Sequence, residues 1–110
     1  MNIEFKNKTV LITAGSKGIG FELAKQFLIE NANVCICSRN QKNLDTAQKT
    51  LLKFCDPKKL LIIKHDISNI KGHIKVIKKI RKKFKKDIDI LINNSGGPPP
   101  KEAIHANLTD

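Results

Sequence analysis

The chain has 110 residues, enough for one domain at most and fewer than an open α/β nucleotide-binding domain usually needs. Its 21 Lys and Arg residues outnumber 10 Asp and Glu residues, for a formal net charge of +11, but all except Arg39 and Arg81 are lysines. Specific nucleic-acid recognition favours the planar Arg fork and aromatic stacking, and the chain contains no Trp or Tyr. A nucleic-acid-binding module is therefore a distant alternative.

The apolar segments and the cysteines indicate a cellular compartment. No apolar run approaches the roughly 18 residues of a membrane span, and the first five residues lack the features of a signal peptide. Cys35, Cys37 and Cys55 form no C-x-x-C pair and are odd in number, which fits a reducing environment. The histidines show neither ligand nor triad spacing. We therefore expect a cytoplasmic protein that has no membrane segment and no metal site.

Short apolar runs alternate with segments of helical periodicity, a pattern typical of parallel strands joined by crossover helices. The expected strands are Thr9–Thr13, Val34–Cys37, Leu60–Ile63 and Ile88–Ile92. The expected helices are one that ends near Asn31, one over about 40–54, and one from Ser68, a plausible N-cap, to about Lys86. This order predicts a partial Rossmann-type α/β fold, a doubly wound parallel sheet of order 3-2-1-4 whose fourth strand is an exposed apolar edge.

Each predicted helix carries an apolar stripe that should face the sheet. The three stripes are Phe21, Ala24, Phe27 and Leu28, then Leu44, Ala47, Leu51 and Phe54, then Ile70, Ile74, Ile77, Ile80 and Phe84. The third helix and its end also carry eight lysines between Lys71 and Lys86. A basic amphipathic helix can bind a membrane surface or an acidic partner. The simpler interpretation is the solvated outer face of a crossover helix.

The turn between the first strand and the first helix carries the residues that point to chemistry. A pyrophosphate needs backbone N–H donors at close range and the positive end of a helix dipole, and glycine admits that approach because it has no side chain. The candidate phosphate-binding residues of the turn are Gly15, Ser16, Lys17, Gly18, Ile19 and Gly20. A purely steric glycine turn is the alternative. Because the glycines open a helix directly after a buried strand, we interpret residues 9–39 as a nucleotide-binding βαβ unit.

Two motifs in register give the sequence a resemblance to the amino-terminal part of a classical short-chain dehydrogenase/reductase. That family's first signature is Thr-Gly-x-x-x-Gly-x-Gly, which Thr13–Gly20 matches except that Ala14 replaces the first glycine. Its second signature, Asn-Asn-Ala-Gly after the fourth strand, corresponds to Asn93, Asn94, Ser95 and Gly96. Asp66, followed by Ile67, matches the family's acidic adenine contact, although a loop cap would explain Asp66 equally well. The two asparagines are expected to brace the central strands as well.

The resemblance also implies a cofactor. Members of the family that use NAD carry an acidic residue at the end of the second strand, where this chain has Ser38 followed by Arg39 and no carboxylate between Glu30 and Asp45. A 2′-phosphate favours a bidentate cation and repels a carboxylate, and Lys17 adds a second cation. The resemblance therefore implies NADP(H) as the cofactor, with Arg39 as a mere surface charge as the alternative.

The resemblance further implies an oxidoreductase that reduces a small-molecule or acyl-thioester carbonyl. Ala14 and the Gly97–Pro100 run resemble the 3-oxoacyl-acyl-carrier-protein reductase-like branch, and family members form homo-oligomers. The family's Ser and Tyr-x-x-x-Lys act in its later half, and because this chain has no Tyr we assign no catalytic residue. We therefore expect residues 1–110 to be the N-terminal portion of an NAD(P)-binding domain without its catalytic half. A truncated or decayed fragment that binds nucleotide weakly is the alternative.

Overall fold

The structure is a computed structural model that describes residues 4–14 and 16–94. Within this part of the chain, one parallel sheet contains β1 (Thr9–Thr13), β2 (Asn33–Ser38), β3 (Leu60–Lys64) and β4 (Ile90–Asn93). The strand order is β3-β2-β1-β4, which confirms the predicted Rossmann-type sheet. Of the predicted site residues, Gly15, Ser95 and Gly96 lie outside the described residues, as does the Gly97–Pro100 run.

The strands are joined by α1 (Gly18–Ile29), α2 (Gln41–Leu51) and α3 (His73–Phe84). Two single turns of 3₁₀ helix, Pro57–Lys59 and Ile70–Gly72, precede β3 and α3. Asn40 caps α2 because its side chain accepts a hydrogen bond from the Asn43 amide at 3.0 Å. No helix in the described ranges is long and apolar enough to cross a membrane.

The core has two layers because successive side chains of a strand point to opposite faces of the sheet. One layer packs alternate residues of β1 and β2 against α1 and α2. The other packs Leu11, Cys35, Cys37 and Ile63 against α3. Both strand cysteines are fully or almost fully buried, as their spacing predicted. Burial of a Leu or Ile side chain contributes about 1.5–3 kcal/mol, so the helices are held mainly by these stripes.

The prediction for the start of the third helix was wrong. The Ser68 hydroxyl donates to Asp66 Oδ1 at 2.8 Å and the Ser68 amide donates to the same atom at 2.9 Å, so Ser68 closes a loop instead of capping a helix. The Asn69 side chain then accepts from the Gly72 amide and begins the 3₁₀ turn. As a result, α3 begins five residues later than predicted, at His73.

The buried stripes were predicted only in part. In α3 the buried residues are Val76, Ile80 and Phe84, whereas Ile70, Ile74 and Ile77 are 76%, 62% and 36% exposed. Since α3 turns Val76 toward the sheet, Ile74 and Ile77 lie toward the solvent side of the helix, and Ile70 lies in the 3₁₀ turn that precedes it. In α2 the prediction held for Leu44, Ala47 and Leu51 but not for Phe54, which is 40% exposed. The α-helix ends at Leu51, and the Lys53 and Phe54 amides bond three residues back, which tightens the chain.

Candidate functional site

The carboxyl ends of the four strands meet at one edge of the sheet. Thr13 of β1 pairs with Cys37 of β2 on one side and with Asn93 of β4 on the other, and Ser38 pairs with Lys64 of β3. The chain runs outward from β1 to β3 and returns to the other side of β1 for β4, so the strand order reverses between β1 and β4. Open α/β sheets bind ligands outside the carboxyl ends of their strands at such a reversal.

The turn from β1 to α1 has the backbone geometry that close contact requires. Ala14 has φ +53° and Gly18 has φ +59°, both in the left-handed region. A Cβ added at Gly18 would meet no atom within 4 Å, so the Gly18 backbone faces open space. Gly18, Ile19, Phe21 and Leu23 border an open depression of about 510 Å³ along α1. Gly20 is buried in the packing of α1.

The N-terminus of α1 is electropositive. The first amides of a helix have no intrahelical partner and carry the positive end of its dipole. Lys17, at the N-cap position, makes no side-chain capping hydrogen bond, and the first turn of α1 contains no acidic residue. The exposed side chain of Lys17 adds a full positive charge at the same place. An anion at this position would be stabilised by both the charge and the dipole.

Ser38 joins the glycine turn to the loop after β2. The Ser16 hydroxyl lies 3.2 Å from the Ser38 hydroxyl, and the Asn40 amide donates to the Ser38 hydroxyl at the same distance. Arg39, between Ser38 and Asn40, is exposed at the edge. These contacts hold the two loops together and direct the backbone around Arg39.

Asp66 lies in the loop after β3. Hydrogen bonds from the Ser68 amide and hydroxyl lower the pKa of the Asp66 carboxyl, and the positive charge of Arg39 lowers it further. Asp66 therefore closes the loop through Ser68, and its contact with an adenine stays a prediction. Ile67 is 50% exposed, and its carbonyl oxygen lies 2.9 Å from His73 Nε2.

The two predicted signatures contact each other through Thr13. Its hydroxyl donates to Asn93 Oδ1 at 3.0 Å and accepts from the Asn94 amide at 2.9 Å. The Asn94 side-chain amide lies 3.4 Å from the carbonyl oxygen of Ala14. The asparagines therefore brace β1 against β4 directly beside the glycine turn, which agrees with the expected bracing.

The structure thus brings the predicted site residues together in two contacts: Ser16 meets Ser38, and Thr13 meets the two asparagines. Arg39 does not pair with Asp66 in the contacts of the described residues, but its charge helps to lower the pKa of the Asp66 carboxyl. Lys17 and Ile19 project outward, and Ile19 is 73% exposed. Sequence reasoning did not identify Thr13 as the link between the signatures. The available signal was its position at the last residue of β1, because the predicted strand order puts the fourth strand, which Asn93 follows, next to β1. No cluster of three possible metal ligands occurs in the residues that the structure describes.

The strand order and its reversal at the carboxyl edge define a Rossmann-type α/β fold. Residues 8–110 match the profile of the short chain dehydrogenase family, and the chain belongs to that family.

Known relatives agree with this assignment. The chain is 38% identical over 102 residues to dehydrogenase/reductase SDR family member 4 of Caenorhabditis elegans, a match that covers 86% of this chain and 36% of that protein. It is 36% identical over 100 residues to tropinone reductase-like 3 of Erythroxylum coca, with coverage of 91% and 38%. The chain therefore spans little more than a third of the length of these relatives.

Solved structures show the same fold. The L-sorbose reductase of Gluconobacter frateurii, crystallised with NADPH and L-sorbose, superposes with a TM-score of 0.78 at 29% identity, over 92% of this chain and 38% of that one. A short-chain dehydrogenase/reductase of Caenorhabditis elegans, solved with its cofactor, gives 0.75 at 36% identity, over 81% and 33%.

Proposed function

We propose that the carboxyl edge of the sheet binds NADP(H) and that residues 1–110 are the cofactor-binding portion of a short-chain dehydrogenase/reductase. The observation that carries the proposal is the juxtaposition at one edge of an uncapped helix N-terminus, an open approach at Gly18 and the cation Arg39. The cradle fits a pyrophosphate because a side chain at Gly18 would fill the space that the phosphate needs.

Each group of residues has a distinct role in this proposal. Gly15, Ser16, Lys17, Gly18 and Ile19 bind the pyrophosphate, and Gly20 keeps α1 close to β1. Ser38, Arg39 and Lys17 receive the 2′-phosphate. Asp66 and Ile67 contact the adenine, and the fourth-strand signature Asn93, Asn94, Ser95 and Gly96 borders the opposite side of the site.

The preference for NADP(H) over NAD(H) is supported by charge. The residues from 31 to 44 contain no carboxylate, so no carboxylate at the end of β2 would accept from a 2′-hydroxyl or repel a 2′-phosphate. The Arg39 guanidinium offers paired donors to a phosphate. The Ser16 and Asn40 contacts of Ser38 pre-organise the loop that carries Arg39, which reduces the entropy lost on binding.

A nicotinamide cofactor, when bound, would donate a hydride to a carbonyl carbon in its reduced form or accept one from an alcohol carbon in its oxidised form. The residues of this chain bind and orient the cofactor, and Arg39 and the α1 dipole neutralise its phosphates. A tyrosine acid of the kind that the family uses has to come from residues other than these, because the 110 residues include no Tyr.

We further propose a 3-oxoacyl-acyl-carrier-protein reductase-like ketoreductase that acts in the cytoplasm as a homo-oligomer. Ala14 and the Gly97–Pro100 run support the branch by resemblance, and the free, buried thiols of Cys35 and Cys37 support a reducing compartment. The assay compares acetoacetyl thioesters with tropinone as substrates, with NADPH as hydride donor. The enzyme is the natural polypeptide, by which we mean the full-length protein that contains residues 1–110. The comparison distinguishes a 3-oxoacyl-thioester reductase from a tropinone reductase. Faster turnover of the thioester is expected, and turnover of tropinone alone would contradict this assignment.

The cofactor proposal is tested with Arg39→Asp, measured by calorimetric titration of the natural polypeptide with NADPH and NADH. The carboxylate should weaken NADPH binding by about 10- to 100-fold, since a charge-assisted pair of about 1.5–3 kcal/mol is replaced by repulsion. The affinity for NADH should change little, so the preference for NADPH over NADH should narrow or reverse.

Arg81→Asp is the matched control. This substitution changes the charge by the same amount, but Arg81 pairs with Asp87 at the exposed C-terminal end of α3, away from the carboxyl edge of the sheet. Arg81→Asp should therefore leave the preference for NADPH over NADH unchanged. If the wild type and Arg39→Asp discriminated equally between NADPH and NADH, Arg39 would not contact the 2′-phosphate. If Arg81→Asp also lost the preference for NADPH, the cause would be the net charge of the protein and not a contact of Arg39.

A further inference from the structure

The loop that joins β3 to α3 carries both proposed adenine contacts, Asp66 and Ile67. The His65 amide donates to the Ser38 carbonyl oxygen at 2.9 Å, which fastens the start of the loop to the end of β2. The Asn69 amide donates to the Asp66 carbonyl oxygen at 2.8 Å, which closes a turn between them. The backbone path of the loop is therefore defined by contacts on both sides of the proposed adenine residues.

One peptide unit of this loop, between Ile67 and Ser68, is held at both of its ends. Its N–H group donates to Asp66 Oδ1 at 2.9 Å. Its carbonyl oxygen lies 2.9 Å from His73 Nε2. A carbonyl oxygen can only accept, so His73 carries a proton on Nε2. The orientation of this peptide is therefore set by a carboxylate on one side and by an imidazole on the other.

The same peptide unit orients the Asp66 carboxylate. The Ser68 amide and hydroxyl both donate to Oδ1, at 2.9 Å and 2.8 Å. Within the described part of the chain Oδ2 accepts no hydrogen bond, so it is the oxygen that remains for a ligand. The exocyclic amino group of adenine is a suitable donor. If the peptide turned, the Ser68 amide would leave Oδ1, and the carboxylate would lose its fixed direction.

The His73 imidazole is itself held by its surroundings. Its ring centroid lies 5.1 Å from that of His65 in an edge-to-face arrangement, at an interplanar angle of 66°. The His65 ring rests on Gly72, where a Cβ would lie only 2.8 Å from His65 Cε1. His73 is also the first residue of α3, which packs on the sheet through Val76 and Ile80. The ring therefore supports the Ile67 carbonyl oxygen from a fixed position.

We propose that His73 is a positioning residue for the adenine end of the cofactor, and that it directs Asp66 Oδ2 toward the 6-amino group of the base through the peptide between Ile67 and Ser68. The inference rests on the proposed function, since the ligand is the adenine of the same dinucleotide. His73 needs no contact with the cofactor in this role. The consequence is discrimination by the base, because a carboxylate accepts from an amino group and repels an oxo group at the same position.

The test compares NADPH with reduced nicotinamide hypoxanthine dinucleotide phosphate, in which an oxo group replaces the 6-amino group. The two ligands carry the same phosphates, so the ratio of their dissociation constants depends on the base alone. Calorimetric titration of the natural polypeptide should show tighter binding of NADPH by about tenfold or more, as expected for a hydrogen bond to a charged group. His73→Leu keeps a similar bulk without Nε2, and the ratio should fall to about threefold or less.

His73→Gln is the matched control, because the glutamine side-chain N–H is as many bonds from the backbone as His73 Nε2 and can donate to the same carbonyl oxygen. Its ratio should stay within about twofold of the wild type. A second measurement needs no cofactor. In a carboxyl-carbon NMR titration, His73→Leu should raise the pKa of Asp66, since the hydrogen bond from the Ser68 amide weakens, and His73→Gln should leave it at the wild-type value.

The outcomes separate the positioning role from the cofactor site. If the wild type favours NADPH over the hypoxanthine analogue and His73→Leu keeps the same ratio and the same pKa of Asp66, His73 does not position the carboxylate. If His73→Gln loses the ratio as fully as His73→Leu, the imidazole acts by its packing and not through its hydrogen bond, which also overturns the proposal. Equal affinity of the wild type for both ligands would exclude the contact of Asp66 with the amino group but leave the cofactor site in place. Absence of saturable NADPH binding would overturn the proposed function itself.

Discussion

Ala14 occupies a left-handed backbone position, φ +53°, that the family signature gives to glycine. An L-residue with a Cβ pays roughly 1–2 kcal/mol for this conformation, because the Cβ approaches the following carbonyl oxygen. Ala14→Gly removes that strain. It also raises the conformational entropy of the unfolded chain, which lowers stability by about 0.4–1 kcal/mol.

The two effects leave a net gain of about 0.8 kcal/mol in the free energy of unfolding. With a urea m-value of about 2 kcal/mol/M, the unfolding midpoint should rise by about 0.4 M. Urea unfolding followed by circular dichroism measures the shift directly, and an unchanged m-value confirms that the effect is on stability.

Ala24→Gly is the matched control because it makes the same chemical change where φ is helical. Ala24 is buried in the middle of α1, and glycine there costs about 1 kcal/mol in helix propensity and about 0.8 kcal/mol in lost burial. Its midpoint should fall. If Ala14→Gly also lowered the midpoint, the left-handed geometry of the turn and the strain derived from it would be wrong.

Three further outcomes follow from the described contacts. Thr13→Val removes the hydroxyl that contacts Asn93 Oδ1 and the Asn94 amide, and the lost hydrogen bonds should lower the free energy of unfolding in urea by about 0.5–1.5 kcal/mol; an unchanged midpoint would contradict the brace between β1 and β4. Because the pKa of Asp66 is lowered, its carboxylate stabilises the fold at pH values above the usual pKa of Asp, and this stabilisation is lost as the pH falls through the lowered pKa. Ser68→Ala should raise the pKa of Asp66 in an NMR titration of the carboxyl carbon. A titration curve identical to that of the wild type would refute the role of the hydroxyl. Cys55 should react with a thiol reagent before the two strand cysteines do, which are buried and should react only on unfolding; three equal rates would contradict the core packing.

The sheet could be predicted from the sequence because its signals are local. Each strand is a short apolar run next to a helical pattern, and runs that are apolar throughout indicate a parallel sheet covered on both faces. The third helix shows where local signals fail. Ser68 is a good N-cap by residue type, but Asp66 competes for its hydroxyl, and the capping role passes to Asn69. The choice between these caps depends on the three-dimensional path of the loop.

The candidate site was predictable to a similar degree. The glycine turn and the asparagine signature were recognised by pattern, but their joining through Thr13 depends on the pairing of strands 80 residues apart. The packing of the His65 ring against Gly72 could not be predicted either, because the third helix was expected to begin at Ser68.

The most direct test of the central claim is an amide NMR titration of the natural polypeptide with NADPH. The account predicts saturable shifts at Gly18, Arg39 and Asp66, which lie on three different loops of the carboxyl edge, and none at Thr46 on the exposed side of α2. It also predicts that NADH at equal concentration leaves Arg39 largely unshifted, because its ribose lacks the 2′-phosphate. No saturable change at Gly18, or shifts confined to α3, would contradict the assignment of this edge as the dinucleotide site.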